Sequence, residues 1–208
     1  MKKIIIVDDH PVVVMALRIL LEQNGFNVTA TANNGIDALQ QVKMTSPDIV
    51  IIDIGIPLLD GIEVIKRIRQ QSPSTLTLVL TAQPSHLFST RCFRAGASGF
   101  ISKLDDLSEV IGGLNAISSG YTYFPSIFKE TADENPLIRT EIEVLESLSS
   151  REIIILQQLS SGFSNKEIAE RMLLSEKTIS TYKKNIMRTI NVNNLIEMVD
   201  MARRNGIV

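Results

Sequence analysis

The stretch Ile49-Val50-Ile51-Ile52-Asp53-Ile54-Gly55-Ile56-Pro57-Leu58-Leu59-Asp60-Gly61 decides the fold. Four β-branched residues run without a polar break into one carboxylate. A run this apolar reads as a strand covered on both faces, which is the habit of parallel sheets. Pro57 and Asp60-Gly61 then mark a loop before the next helical pattern. Ligands of open α/β sheets bind outside the carboxyl ends of the strands, which is where Asp53 falls. A strand-capping aspartate explains that residue equally well, so its neighbours in space must decide.

Outward from this strand the same unit repeats. Ile4 to Val7 ends on Asp8-Asp9, and Pro11 opens a helical pattern closed by Gly25. Phe26 to Thr31 is a weaker strand, followed by a helix through Ile36, Leu39 and Val42 that stops before Pro47. After the Asp53 strand come a helix around Ile62 to Arg69 and a strand from Leu76 to Leu80 ending at Thr81-Ala82. A helix around His86 to Arg94, a strand from Gly99 to Ser102 ending at Lys103, and a helix from about Asp106 to Ser119 complete the series. Five strands alternating with helices long enough for parallel crossovers predict a doubly wound five-stranded parallel sheet with helices on both faces, for which the flavodoxin-like order 2-1-3-4-5 is a common arrangement. No G-x-G-x-x-G or Walker loop is present, which disfavours nucleotide binding.

Beyond Gly120 the pattern changes. Tyr121 to Ser147 reads as a connector, with a polar loop signature at Thr131-Ala132-Asp133-Glu134-Asn135-Pro136 and a return of helical spacing from Leu137 to Leu145. From Leu148 the chain shows short helices without strands. Ser149 with Glu152 and Ser164 with Glu167 fit the capping-box spacing, Ser175 can cap a third helix, and a last helix runs from Leu195 to Arg204. The organisation expected is an α/β domain at 1–120, a linker at 121–147 and a small all-α domain at 148–208.

Charge follows the same division. Residues 1–125 carry 10 Lys and Arg against 11 Asp and Glu, a net of −1; residues 126–147 carry 2 against 6, or −4; residues 148–208 carry 9 against 6, or +3. A basic rear behind an acidic connector suggests a division of labour, though a surplus this small also fits a solvated face. The one cysteine, Cys92, excludes a disulfide framework and any multi-cysteine zinc site. The apolar run after Lys2-Lys3 stops at Asp8, too short for a signal core or membrane span, so a cytoplasmic protein without membrane contact is expected.

In a sheet of order 2-1-3-4-5, Asp8, Asp9, Asp53, Thr81 and Lys103 all lie at strand carboxyl ends around the switch point. Three carboxylates in one crevice repel unless a cation is present. Mg²⁺ suits carboxylate oxygens, and the carbonyl of Gly55 can add a further ligand. A carboxylate, a hard cation, a lysine and a hydroxyl are the parts needed to receive a phosphoryl group, with Asp53 attacking in line.

These residues carry a resemblance. Asp8-Asp9, D-I-G-I-P at 53–57 with Asp60-Gly61, Thr81-Ala82, and G-A-S-G-F-I-S-K ending at Lys103 resemble the receiver domain of bacterial two-component response regulators. The resemblance implies that Asp53 is the phosphoacceptor, that Asp8, Asp9, Asp53 and Gly55 hold Mg²⁺, and that Lys103 and Thr81 contact the phosphoryl group. It also makes Phe100 the switch aromatic coupled to Thr81, where ordinary strand packing is the plainer account. Ile56 stands where the family commonly has methionine. His10 and His86 are given no catalytic role. An aspartyl-phosphate hydrolase of the haloacid dehalogenase type would carry a second aspartate two residues after the nucleophile, where this chain has Gly55.

In the rear, Ile179, Ile186 and Ile190 share one helical face, and Lys177, Ser180, Thr181, Lys184 and Arg188 the opposite one. With Asn165 to Met172 before it, joined through Leu173-Leu174-Ser175, this reads as a helix-turn-helix whose second helix enters the major groove. A small helical domain that binds protein remains the alternative; a DNA-binding assay separates the two. L-S-S-R-E, G-F-S-N-K-E-I-A-E-R-M and L-S-E-K-T-I-S-T-Y-K resemble the LuxR-type output domain, which together with the receiver gives the NarL/FixJ subfamily. Tyr121-Thr122-Tyr123-Phe124-Pro125, the long connector and S-T-Y-K are most similar to the BvgA/EvgA group. The resemblance implies base reading by Ser180, Thr181 and Lys184, phosphate contacts from Lys177, Lys183 and Arg188, and a dimer contact on the last helix. Its expected partners are a sensor histidine kinase, promoter DNA, a second copy of the chain, and RNA polymerase. The function it implies is transcriptional regulation controlled by phosphorylation of Asp53, with no enzymatic activity beyond Mg²⁺-dependent phosphorylation and dephosphorylation of that residue.

Overall fold

The computed structural model describes residues 1–125, the backbone of 136–140 and all of 141–208. The polar signature at 131–135 lies outside the described residues. The chain divides into two compact units, Met1–Ile127 and Phe128–Val208.

The first unit alternates β1 (Lys3–Val7), α1 (Pro11–Gln23), β2 (Asn27–Ala32), α2 (Gly35–Thr45), β3 (Ile49–Ile52), α3 (Gly61–Gln71), β4 (Leu76–Thr81), α4 (Ser85–Ala95), β5 (Gly99–Ser102) and α5 (Glu109–Ser118). All strand pairs are parallel, in the order β2-β1-β3-β4-β5. Ile49, Val50, Ile51 and Ile52 are each at most 1% exposed, as an unbroken β-branched run in a central parallel strand demands. Alternate residues serve opposite faces. Ile4, Ile6, Ile49, Ile51, Leu78 and Leu80 pack with Leu17 and Leu21 of α1 and Leu114 and Ile117 of α5.

Register brings the strand ends level. Val7 pairs Ile52, Ile52 pairs Val79, and Thr81 pairs Ser102. The ladder continues one residue beyond: the Asp53 amide donates to the Val7 carbonyl at 2.9 Å and the Lys103 amide to the Thr81 carbonyl at 2.8 Å. Asp53 and Lys103 are therefore strand ends and not free loop residues.

The segment after α5 does not simply leave the sheet. The Phe100 amide donates to the Tyr123 carbonyl at 2.7 Å and the Tyr123 amide to the Ser98 carbonyl at 3.0 Å, forming a parallel bridge on the open edge of β5. Phe124 then stacks edge-on against Phe93 of α4, with centroids 5.4 Å apart and planes at 86°, a favoured aromatic geometry. Part of the expected connector thus covers a sheet edge that would otherwise stay exposed.

The second unit contains α6 (Pro136–Ser147), α7 (Ser150–Ser160), α8 (Asn165–Met172), α9 (Glu176–Thr189) and α10 (Leu195–Arg204). Both capping boxes form, Ser149 with Glu152 and Ser164 with Glu167, and Ser175 accepts from the Thr178 amide. The range read as connector contains α6, whose Leu145 is fully buried. Glu141 on α6 accepts from Arg204 at 2.8 Å and from Asn205 at 2.7 Å.

The loop between β3 and α3 is clamped by glycine. A Cβ added at Gly61 would sit 2.3 Å from the Asp53 carbonyl oxygen and 2.8 Å from the Ile54 Cα, both backbone atoms that cannot turn aside. Gly61→Ala should therefore lower stability by about 1–3 kcal/mol through overpacking. Urea unfolding of the two proteins checks this, and an unchanged midpoint would mean the loop yields freely.

Candidate functional site

Four strand ends, those of β1, β3, β4 and β5, supply the pocket. Asp8 and Asp53 are 4% and 7% exposed, and Thr81 is fully buried. The Lys103 ammonium reaches between the two carboxylates, 2.6 Å from Asp53 Oδ2 and 2.7 Å from Asp8 Oδ2. Burial by itself would lower the Lys103 pKa, but the charge of Asp53 and the hydrogen bonds to Asp53 and Asp8 outweigh it and raise the pKa above its ordinary value. The Gly55 amide donates to Asp53 Oδ1 at 3.2 Å, turning the chain sharply back over the carboxylate. Thr81 Oγ1 accepts from the Gln83 amide at 3.3 Å.

Asp9 completes an acidic cluster. One ligand atom from each of Asp8, Asp9, His10 and Asp53 lies within 4.8 Å of the others. Burial raises the Asp9 carboxyl above the usual range; His10 pulls it down, while Asp53 and Asp8 push it further up. Asp9 Oδ1 is buried with no hydrogen-bond partner, although His10 Nδ1 stands 3.0 Å away in poor alignment. His10 Nδ1 also lies 3.1 Å from Asp8 Oδ1. An orphaned, buried carboxylate oxygen facing two more carboxylates is what a divalent cation satisfies. The donor set is all oxygen apart from that imidazole, which suits a hard cation.

Two further residues border the pocket: His10, expected to have no catalytic role, and Gln83, which nothing in the sequence marked. His10 carries no periodic signal, and its place follows from its own amide donating to Asp8 Oδ1 at 2.9 Å. Gln83 has a buried Oε1 without a hydrogen-bond partner, and its Nε2 lies 3.9 Å from where a Cβ on Gly55 would be. Phe100 is 1% exposed beside the pocket strand. Gly55 stands next to Asp53, and His86 is exposed on α4. Cys92 is fully buried, and burial pushes its thiol up to about 12, an inert packing group.

In the second unit Ile179 and Ile186 are fully buried and Ile190 nearly so, and Ile168 and Met172 of α8, the helix packed against α9, are buried as well. Lys177, Thr181, Lys184 and Arg188 are exposed, while Ser180 and Lys183 are half-buried. Asn165 on α8 donates its side-chain amide to Ser180 Oγ at 3.1 Å. Arg171 lies 3.7 Å over the Phe163 ring, fastening α8 to the preceding turn.

Comparison with known proteins agrees with this division. Residues 4–114 match the response regulator receiver domain, and residues 146–202 match the luxR family of bacterial regulatory proteins. The chain belongs to the response regulators with a LuxR-type output domain. It is 43% identical over 205 residues to the virulence factors putative positive transcription regulator BvgA of Bordetella pertussis, covering 99% of this chain and 98% of that one. It is 36% identical over 203 residues to the DNA-binding transcriptional activator EvgA of Escherichia coli K12, covering 98% of each. Among solved structures it resembles RcsB from Salmonella enterica serovar Typhimurium bound to promoter P1flhDC in the presence of phosphomimetic BeF3⁻. That likeness has a TM-score of 0.58 at 26% identity, over 96% of this chain and 97% of that one. The receiver and output domains together make this response regulator a transcription regulator of the NarL/FixJ type, and its acidic cluster is compatible with a divalent metal. No helix among the described residues is long and apolar enough to cross a membrane.

The pocket's charges predict two stability changes of opposite sign. Asp9 has a raised pKa, so folding favours its protonated form, and stability falls as pH rises through its folded-state value. Asp9→Asn should therefore raise the melting temperature of metal-free protein at neutral pH and shrink the further rise on adding Mg²⁺. Lys103→Met leaves two buried carboxylates without their cation and should cost about 3–5 kcal/mol. Thermal melts with and without Mg²⁺ decide; the same sign for both variants would contradict the electrostatic account.

Proposed function

We propose that this response regulator accepts a phosphoryl group on Asp53 from a sensor histidine kinase and answers by binding promoter DNA as a dimer. The observation that carries this reading is the Lys103 ammonium lying within 2.7 Å of both Asp53 and Asp8 at the carboxyl ends of adjacent strands. An incoming phosphoryl group meets a nucleophilic carboxylate and a positive charge already aimed at its oxygens.

In the transfer, an oxygen of Asp53 attacks the phosphorus of a phosphohistidine in line. The N–P bond breaks with its electrons to the imidazole, which then takes a proton, and an acyl phosphate remains on Asp53. Mg²⁺ held by Asp8, Asp9, Asp53 and the Gly55 carbonyl would supply positive charge to the phosphoryl oxygens. Lys103 leaves Asp8 to pair with the phosphoryl group, and the Thr81 hydroxyl turns toward it. Phe100, on the neighbouring strand opposite Val79, follows that turn as the switch aromatic. Phosphorylation shifts the population only through such contacts made in one state and not the other. Phosphorylation and dephosphorylation of Asp53 are then the chain's only covalent chemistry.

Residues 1–120 are read as the receiver, 121–147 as the linker and 148–208 as the output domain. In the output domain, Ser180, Thr181 and Lys184 of α9 read base edges, and Lys177, Lys183 and Arg188 contact phosphates. The exposure of Lys177, Thr181, Lys184 and Arg188 over a buried isoleucine face supports this. Dimerisation through α10 would set the spacing of two half-sites, as two-fold symmetry requires. RNA polymerase is the partner through which a bound dimer would change transcription, and the cytoplasm is where these encounters take place.

Acetyl phosphate labelling of the purified chain tests the pocket. Label should appear only with Mg²⁺ and should vanish in Asp53→Ala. Label that survives that substitution, or forms equally with chelator, contradicts the assignment.

A further inference from the structure

Two adjacent hydroxyls on α9 spend their hydrogen-bonding capacity in opposite ways. Thr181 Oγ1 donates its proton back along the helix to the Lys177 carbonyl at 3.0 Å. Its two lone pairs and its methyl remain available, so it can only accept. Ser180 Oγ instead accepts from the Asn165 side-chain amide at 3.1 Å, across the helix-turn-helix angle. One of its lone pairs is engaged and its proton is free. A serine inside a helix commonly bonds the carbonyl four residues back, and the pull from α8 holds this one out of that arrangement. The hydroxyls of Ser175 and Thr178 at the start of α9 are paired to each other at 2.8 Å in the cap. In that pair one hydroxyl donates to the other, so a single proton is left over, and it sits at the helix cap.

We propose that Asn165, which need not touch DNA itself, is a positioning residue that fixes the hydrogen-bond polarity of Ser180. The recognition helix then presents a donor at Ser180 beside an acceptor at Thr181. The chemistry of the groove assigns the partners. A donor hydroxyl meets purine N7, guanine O6 or thymine O4. An acceptor hydroxyl meets the amino group of cytosine or adenine, and the Thr181 methyl suits the thymine methyl. This rests on the reading of Ser180 and Thr181 as base-reading residues, and it adds which edge each can read.

Asn165→Asp is the informative substitution. A carboxylate can only accept, so it takes the Ser180 proton and leaves that hydroxyl an acceptor. Position 165 lies in the first turn of α8, where negative charge is favourable, so this variant keeps its fold even should Asn165→Ala lose it. The experiment is selection of bound sequences from random duplex DNA by the full chain with Mg²⁺ and beryllofluoride. It is run for the parent, Ser180→Ala, Asn165→Ala and Asn165→Asp, with non-specific affinity and its salt dependence measured for each.

Ser180→Ala should erase a preference at one base pair. Asn165→Ala should weaken that same preference roughly tenfold, about one hydrogen bond's worth of discrimination, and leave the non-specific affinity and salt slope unchanged. Asn165→Asp should move the preference toward the base offering an amino group. If Ser180→Ala alters the preference while both Asn165 variants select the parent's sequence, the polarity inference is overturned and base reading stands. If Ser180→Ala selects the parent's sequence, base reading by Ser180 falls and the inference with it. A drop in non-specific affinity alone would make Asn165 a backbone-contact residue and overturn the proposal equally.

Discussion

The ammonium of Lys103 sits between two carboxylates that are less than a tenth exposed and would repel each other without it. Burying even one unpaired carboxylate costs several kcal/mol, and this pocket gathers three acidic side chains. The sheet exists in a form that makes this tolerable. Parallel strands in the order 2-1-3-4-5 bring the ends of β1, β3 and β5 to one edge, so the lysine of the last strand reaches the aspartates of the first and third. Under the proposed phosphoryl transfer the clamp is also provisional. An ammonium shared by two carboxylates can exchange one of them for a phosphoryl group without leaving either charge bare, provided a cation takes over Asp8 and Asp9.

The same economy of partners shapes the rear unit. Its short helices would be marginal alone, and α7, α8, α9 and α10 are each started by a side chain that satisfies amides the helix leaves open. Ser149, Ser164, Ser175 and Asn194 all accept from the amide three residues on. With the ends fixed, the buried isoleucines of α9 need only dock against α7 and α8 to leave the basic face outward. The recognition surface is thus a consequence of packing and not a separate construction.

Much of this was legible in the chain itself, for physical reasons that differ from place to place. Ile49 to Ile52 could hardly be anything but a central parallel strand, since no other element hides four consecutive β-branched residues on both faces. Asp8, Asp53, Thr81 and Lys103 could be gathered because each follows a strand directly, and strand order fixes where strand ends meet. His10 was visible beside the acidic pair but, like Gln83, it reaches the pocket through a turn that leaves no periodic trace. The helical spacing from Leu137 to Leu145 announced α6, but what ties it down, Arg204 and Asn205 against Glu141, lies more than sixty residues away in sequence. The bridge of Tyr123 to β5 was hidden for a similar reason: a lone residue pairing with a sheet edge has no pattern of its own. Local propensity announces elements, whereas long-range contacts of single side chains announce nothing until the chain is folded.

The central claim is that charge arriving at Asp53 governs what the helix-turn-helix of the second unit does. DNA affinity of the full chain, measured with Mg²⁺ in the presence and absence of beryllofluoride, tests it most directly when Asp53→Ala is carried alongside. The account predicts tighter binding on adding beryllofluoride to the parent chain and no response in Asp53→Ala. Equal affinity in all four conditions, or a response that persists without Asp53, would contradict it.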